Sequence, residues 1–74
     1  MLDFNKKYEY HILIHLRNNK KLSVLYFSDN PYVDEAFDEF IKDKSYVIVS
    51  IVKGKKLIPG YLNVFDIQYI ELQA

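Results

Sequence analysis

The chain contains no cysteine, and this absence removes several kinds of chemistry at once. Without a thiol there is no disulfide, no thiolate-bound metal and no cysteine nucleophile. Glycine is almost as scarce: Gly54 and Gly60 are the only two, so no glycine-rich loop is available to cradle a phosphate. No serine lies in the Gly-x-Ser-x-Gly pattern of a nucleophile elbow. We therefore predict a non-enzymatic protein that needs no cofactor.

The chain also lacks an excess of either charge and any long apolar run. Ten basic residues balance ten acidic ones, so no global field attracts nucleic acid or an anionic membrane. No apolar run approaches the length of a transmembrane span, and the first ten residues, MLDFNKKYEY, lack the apolar core of a signal peptide. These features predict a cytoplasmic protein without a membrane partner. The predominance of Lys over Arg, with abundant Ile, Asn and Tyr, favours an AT-rich bacterial or phage genome.

What the chain does contain is enough apolar material for one core. Half of its 74 residues are hydrophobic and 16% are aromatic, which is typical of a folded chain and not of a disordered one. At this length a single hydrophobic core is close to its lower size limit. The sequence therefore predicts one domain, residues 1–74.

Residues 8–17, YEYHILIHLR, predict the first strand. Their apolar and polar positions alternate with a period of two, whereas a helix would leave a polar face that this stretch lacks. The following RNNKK predicts a tight turn, and Leu22–Phe27 the returning strand. A three-residue loop, Asn18–Lys20, would pair Ile14 with Val24 and keep apolar residues opposite apolar residues.

One helix, Pro31–Lys42, is predicted next. Asn30 is a favourable N-cap, and Pro31 suits the first helical position, where its missing N–H costs nothing. An apolar stripe at the helical period should pack against the hairpin and comprises Val33, Ala36, Phe37, Phe40 and Ile41.

The second half predicts further strands. Ser45–Val52 is apolar on both faces, which is typical of a central strand, and Ile67–Leu72 is a final strand. Residues 57–66 are ambiguous, because Pro59-Gly60 interrupts a strand pattern. The fold class is therefore α+β: a ββαββ(β) domain with an antiparallel-rich sheet of four or five strands and one helix on one face.

His11 and His15 are the obvious candidates for a metal site, but the strand places them too far apart. Four strand rises separate them by about 13 Å, whereas two ligands of one zinc ion lie within about 4 Å of each other. No metal is predicted. Both are instead predicted to flank a homodimer interface formed with Leu13, Leu25 and Phe27, because a single helix leaves this second apolar face of the sheet uncovered.

The charge is unevenly distributed along the chain. Four acidic residues share one helix face, and we predict that this face meets a basic protein partner: Asp34, Glu35, Asp38 and Glu39. A solvated surface is the simpler alternative explanation of the same cluster.

The basic residues concentrate at turns, at 17–21 and at 53–56. Nucleic-acid binding through these Lys-rich turns and exposed Tyr is the alternative function. If the strand after the helix ran parallel to the one before it, the two turns would lie at opposite ends of the sheet, which counts against a continuous phosphate-binding stripe.

Overall fold

The computed structural model describes residues 6–73 and contains one sheet and one α-helix. Residues 1–5, on which the prediction of a missing signal peptide partly rests, lie outside the described residues. The elements are β1 (Tyr8–Leu16), β2 (Lys21–Ser28), α1 (Val33–Ile41), β3 (Tyr46–Lys53), β4 (Lys56–Asn63), a 3-10 helix (Val64–Asp66) and β5 (Ile67–Leu72). The sheet order is β4-β3-β2-β1-β5, and every neighbouring pair is antiparallel. The predicted α+β fold is confirmed.

The core lies between α1 and the face of the sheet that we call the inner face. Ile12 and Ile14 of β1 and Val24 of β2 are completely or almost completely buried there. Phe40 of α1 packs into the same cluster, as the apolar stripe predicted. Val33, by contrast, lies at the surface.

The sheet curls so that its two edge strands approach each other. Four flat strand spacings would separate β4 from β5 by about 19 Å. Only three residues lie between Asn63, at the end of β4, and Ile67, at the start of β5, and the four Cα–Cα steps span at most about 14 Å. Leu62 of β4 and Ile67 of β5 belong to the same buried cluster on the inner face, so the inner face is concave and the opposite, outer face is convex.

The predicted register of the first hairpin is wrong by two residues. Ile14 is opposite Leu22, and the three-residue loop is Arg17–Asn19, closed by a 2.8 Å bond from the Leu16 N–H to the Lys20 carbonyl. Asn19 adopts the left-handed conformation, with φ of 68°. Asn tolerates this conformation better than Lys. The left-handed position at the end of the loop is therefore occupied by Asn19 and not by Lys20, and the loop begins one residue earlier than predicted. Because the shift is even, every side chain keeps its predicted face.

The helix begins two residues later than predicted and ends one residue earlier. The side chain of Asn30 accepts a hydrogen bond from the Tyr32 N–H at 3.0 Å, which forms a local turn in place of a helix cap. Pro31 thus lies in the turn, and Tyr32 occupies the N-cap position without a side-chain cap. Beyond the helix end, the Lys44 ammonium donates to the Glu39 carbonyl at 3.2 Å.

Pro59-Gly60 does not interrupt a strand, contrary to the prediction for this segment. β4 runs through both residues and is an edge strand. Pro59 is opposite Ser50, and pairs with and without hydrogen bonds alternate along this hairpin. Ser50 and Pro59 form a pair without hydrogen bonds, so the backbone nitrogen of Pro59 faces away from β3. A proline at such a position costs no ladder hydrogen bond and blocks the addition of another strand.

Candidate interaction surfaces

The five residues predicted to form a homodimer interface all lie on the outer face of the two-stranded β1–β2 hairpin. His11 is exposed, whereas Leu13, Leu25 and Phe27 are partly covered by their neighbours on the sheet. His15 is the most buried of the five, at 8% exposure. The hairpin thus brings the five residues to one face, with His11 directly opposite Leu25.

The two histidines have different surroundings. His15 Nε2 lies 2.5 Å from a Glu71 carboxylate oxygen, and its ring stacks on Tyr69 with centroids 4.0 Å apart. Both partners belong to β5, so these contacts join β1 to β5 across the outer face. His11 is 3.5 Å from the Glu9 carboxylate at the exposed surface. Among residues 6–73, no group of three or more potential metal ligands comes together.

The most exposed apolar side chains of the outer face lie on β3 and β4, beside the predicted interface. Ile48 is 60% exposed and is directly opposite Tyr61, which is 81% exposed, while Tyr46 is 62% exposed. Leu25 of β2 is opposite Ser50, two residues along β3 from Ile48. We call the following residues the outer patch: Leu25, Phe27, Tyr46, Ile48 and Tyr61. Sequence reasoning missed Tyr61, because its segment could not be assigned without knowing that β4 is an edge strand.

The acidic side chains of α1 divide into two groups. Asp34, Glu35 and Asp38 point into solvent, and Asp38 makes only a long 4.0 Å contact with Lys42. The Glu39 carboxylate instead accepts a 2.7 Å hydrogen bond from the hydroxyl of Ser28, which is fully buried at the end of β2. Glu39 therefore also anchors the helix to the sheet.

Tyr26 lies beside this anchor. Burial raises the pKa of the Tyr26 hydroxyl to about 12, and the Glu39 charge and a hydrogen bond to it act in the same direction. The neutral tyrosine is therefore stabilised by the fold.

We expect this raised pKa to make stability fall with rising pH between about pH 10 and pH 12. In that range the unfolded chain has lost the Tyr26 proton while the folded chain keeps it, so added base favours unfolding. Tyr26→Phe should reduce this decline, measured as the free energy of unfolding in urea at several pH values. Tyr32→Phe, at a position that is 64% exposed and lies outside the outer patch, is the control, and equal slopes for Tyr26→Phe and the unchanged protein would contradict the assignment.

A groove of about 460 Å³ runs between α1 and β5. Its helix wall includes Phe37 and Ile41, with the carboxylates of Asp34 and Asp38 at the rim. Its other wall is formed by the residues 67–70 and Val64. Two of the predicted partner-facing acids thus border an apolar groove, which the sequence did not indicate.

The two Lys-rich turns lie at the same end of neighbouring strands, contrary to the arrangement considered from the sequence. β3 runs antiparallel to β2, so the parallel arrangement considered from the sequence is wrong. In the first turn, Arg17 donates from its backbone N–H and its Nε to carbonyls of the 3-10 helix, at 2.9 and 2.8 Å. Val24 of β2 is opposite Ile51 of β3, so the first turn, which precedes β2, and Lys53–Lys56, at the end of β3, lie at the same end of this strand pair. The expectation from the sequence that counted against a continuous phosphate-binding stripe is therefore wrong.

Comparison with known proteins gives no family assignment: no family model, no curated protein and no solved structure matches the chain. In residues 6–73, no helix has both the length and the apolar character to cross a membrane.

Proposed function

We propose that the protein is a small, non-enzymatic interaction or regulatory protein of a bacterium or phage, acting in the cytoplasm as a homodimer through protein–protein contacts. The observation that carries this proposal is the outer patch. Its two tyrosines alone expose on the order of 300 Å² of side chain, if a whole side chain counts about 200 Å². A contiguous apolar patch of this size is comparable to the largest that soluble monomers expose, and such patches are often functional.

The occupant we propose for the outer patch is a second copy of the chain. A standard interface buries about 800 Å² on each partner, and the described chain has 5474 Å² of surface, so about one seventh of it would be covered. The outer patch with its surrounding residues on β1 and β2 supplies a continuous face of this kind. In that arrangement His11 and His15 lie at the rim of the interface, with Leu13 between them on β1.

The acidic side of α1 supplies the second half of the proposal, a surface for a basic protein partner. Asp34, Glu35 and Asp38 are exposed on it, and Glu39 lies at its border. The helix lies on the opposite side of the sheet from the outer patch, so a homodimer would leave it accessible.

Light scattering on the purified full chain tests the homodimer directly. We expect a mass of twice the 8.8 kDa of one chain at tens of micromolar protein. A mass of one chain across that concentration range would overturn the homodimer.

The second candidate function is nucleic-acid binding, favoured by the exposure of Tyr46 and Tyr61, on which bases could stack. It requires binding to random-sequence DNA or RNA that weakens steeply with salt. The double variant Lys20→Glu/Lys21→Glu should abolish such binding. Retention of dimer mass without nucleic-acid binding would favour the first proposal over this one.

A further inference from the structure

We propose that the groove between β5 and α1 binds an extended, basic peptide segment of another protein, which adds to the sheet as a sixth strand beside β5. The inference rests on the proposed interaction function and names the chemistry of the partner that the acidic helix would meet. Four observations on the described residues carry it: the free edge of β5, the shape of the groove, its charge, and the contrast with β4.

The edge of β5 is available for pairing within the described residues. β5 ends the strand order and pairs only with β1. The Gln73 N–H donates to the His11 carbonyl at 2.8 Å. Because hydrogen-bonded pairs alternate along an antiparallel ladder, the backbone groups of Ile70 and Leu72 point away from β1. These groups are the ones that an added strand would bond.

The groove follows this edge. Its β5 wall consists of four consecutive residues, 67–70. The alternation of β5 is interrupted at Gln68, because Ile67 is opposite Leu16 and Tyr69 is opposite His15. Tyr69 of the outer face and Ile70 of the inner face both border the groove, which therefore passes the edge of β5. The helix forms the facing wall through Phe37 and Ile41. An added strand would therefore bond β5 on one side and contact α1 with its side chains.

The charge of the groove selects a basic segment. The carboxylates of Asp34 and Asp38 lie at the rim, and residues 64–73 contain Asp66 and Glu71 but no Lys or Arg. A second copy pairing through its own β5 would bring two further acids and no Lys or Arg from its residues 64–73, so it would not neutralise the rim carboxylates. A lysine of another protein could lay its apolar stem on Phe37 and Ile70 and extend its ammonium to the rim carboxylates.

The other edge of the sheet has features that prevent strand addition. β4 carries Pro59 with its missing N–H directed outward, and Lys55 and Lys56 lie at its start. Proline and lysine are the usual means by which edge strands avoid pairing. β5 contains neither residue. Strand addition is therefore blocked at the β4 edge and open at the β5 edge.

The test is an NMR titration of the isotope-labelled full chain with an eight-residue peptide of alternating Lys and Val, blocked at both ends. We expect saturable amide shifts confined to β5 and to the groove side of α1. A peptide of alternating Glu and Val, identical in length, should bind much more weakly or not at all. Binding of both peptides alike, shifts centred on the outer patch, or no shifts at millimolar peptide would each overturn the inference.

Two variants locate the site. Asp34→Asn/Asp38→Asn should weaken Lys–Val binding roughly threefold to tenfold, whereas Asp29→Asn/Asp43→Asn removes the same charge outside both the groove and the acidic face of α1 and should leave it unchanged. Leu72→Pro removes an outward N–H and should weaken binding while the β1–β5 ladder is retained, as judged by the other amide shifts. Equal binding of the Lys–Val peptide by the Asp34/Asp38 variant and the control variant would show that the rim carboxylates do not select a basic segment. Amide shifts of β5 that depend on protein concentration without peptide would identify a second copy as the occupant and would overturn this inference. The homodimer through the outer patch is tested separately, by the mass from light scattering.

Discussion

Replacing Phe40 with alanine should lower the free energy of unfolding by about 3–5 kcal/mol. Phe40 is 3% exposed and packs against Tyr26 with ring centroids 4.8 Å apart. Its ring is the main connection between α1 and the inner face of the sheet, and truncation would leave a cavity that the short helix cannot close. Urea unfolding followed by circular dichroism measures the change.

Phe65→Ala is the matched control, because Phe65 is the same residue type but 72% exposed. It should change the free energy of unfolding by less than about 0.5 kcal/mol. A domain of this size has only about 4–11 kcal/mol of stability in total. Where Phe40→Ala proves unfolded, Phe40→Leu gives a measurable intermediate loss. Equal effects of the Phe40 and Phe65 substitutions would show that α1 does not pack as described.

Replacing Tyr61 with aspartate should dissociate the proposed homodimer. Tyr61 is 81% exposed on the edge strand β4, where it lies opposite Ile48 in the outer patch, so the isolated chain can accept the change without losing core contacts. In the homodimer the same change removes an aromatic contact and buries a charge without a partner. Loss of a dominant aromatic contact costs about 2 kcal/mol or more, which corresponds to a weakening of on the order of 30-fold. Light scattering over a dilution series should show the single-chain mass at concentrations where the unchanged protein is paired.

Tyr32→Asp provides the control, since Tyr32 is 64% exposed but precedes α1 and lies outside the outer patch. It carries the same chemical change and should leave the mass unaltered. Two results would count against the outer patch as the interface: a dimer that survives Tyr61→Asp, or a dimer that both substitutions disrupt equally.

The sequence by itself determined β1, β2, α1, β3 and β5, and the faces on which the side chains of the first hairpin lie. Alternation with a period of two placed Ile12 and Ile14 on one face and His11 and His15 on the other, and an even error in register could not change this. Apolar residues at the helical period likewise identified Phe40 as a core residue. Such patterns are local: they follow from the geometry of a single strand or helix and need no knowledge of its neighbours.

Only the tertiary structure decided which strands are edges and what borders them. Pro59 interrupts a central strand but is accommodated in an edge strand, so residues 57–66 could not be assigned before the sheet order was known. The direction of β3, and with it the position of both Lys-rich turns at one end of the sheet, depended on how the chain returns through α1. The groove beside β5 brings Asp34 and Asp38 to residues 67–70, more than two dozen positions along the chain. No local pattern encodes such a contact, because it arises from the curl of the sheet that brings β5 beside the helix.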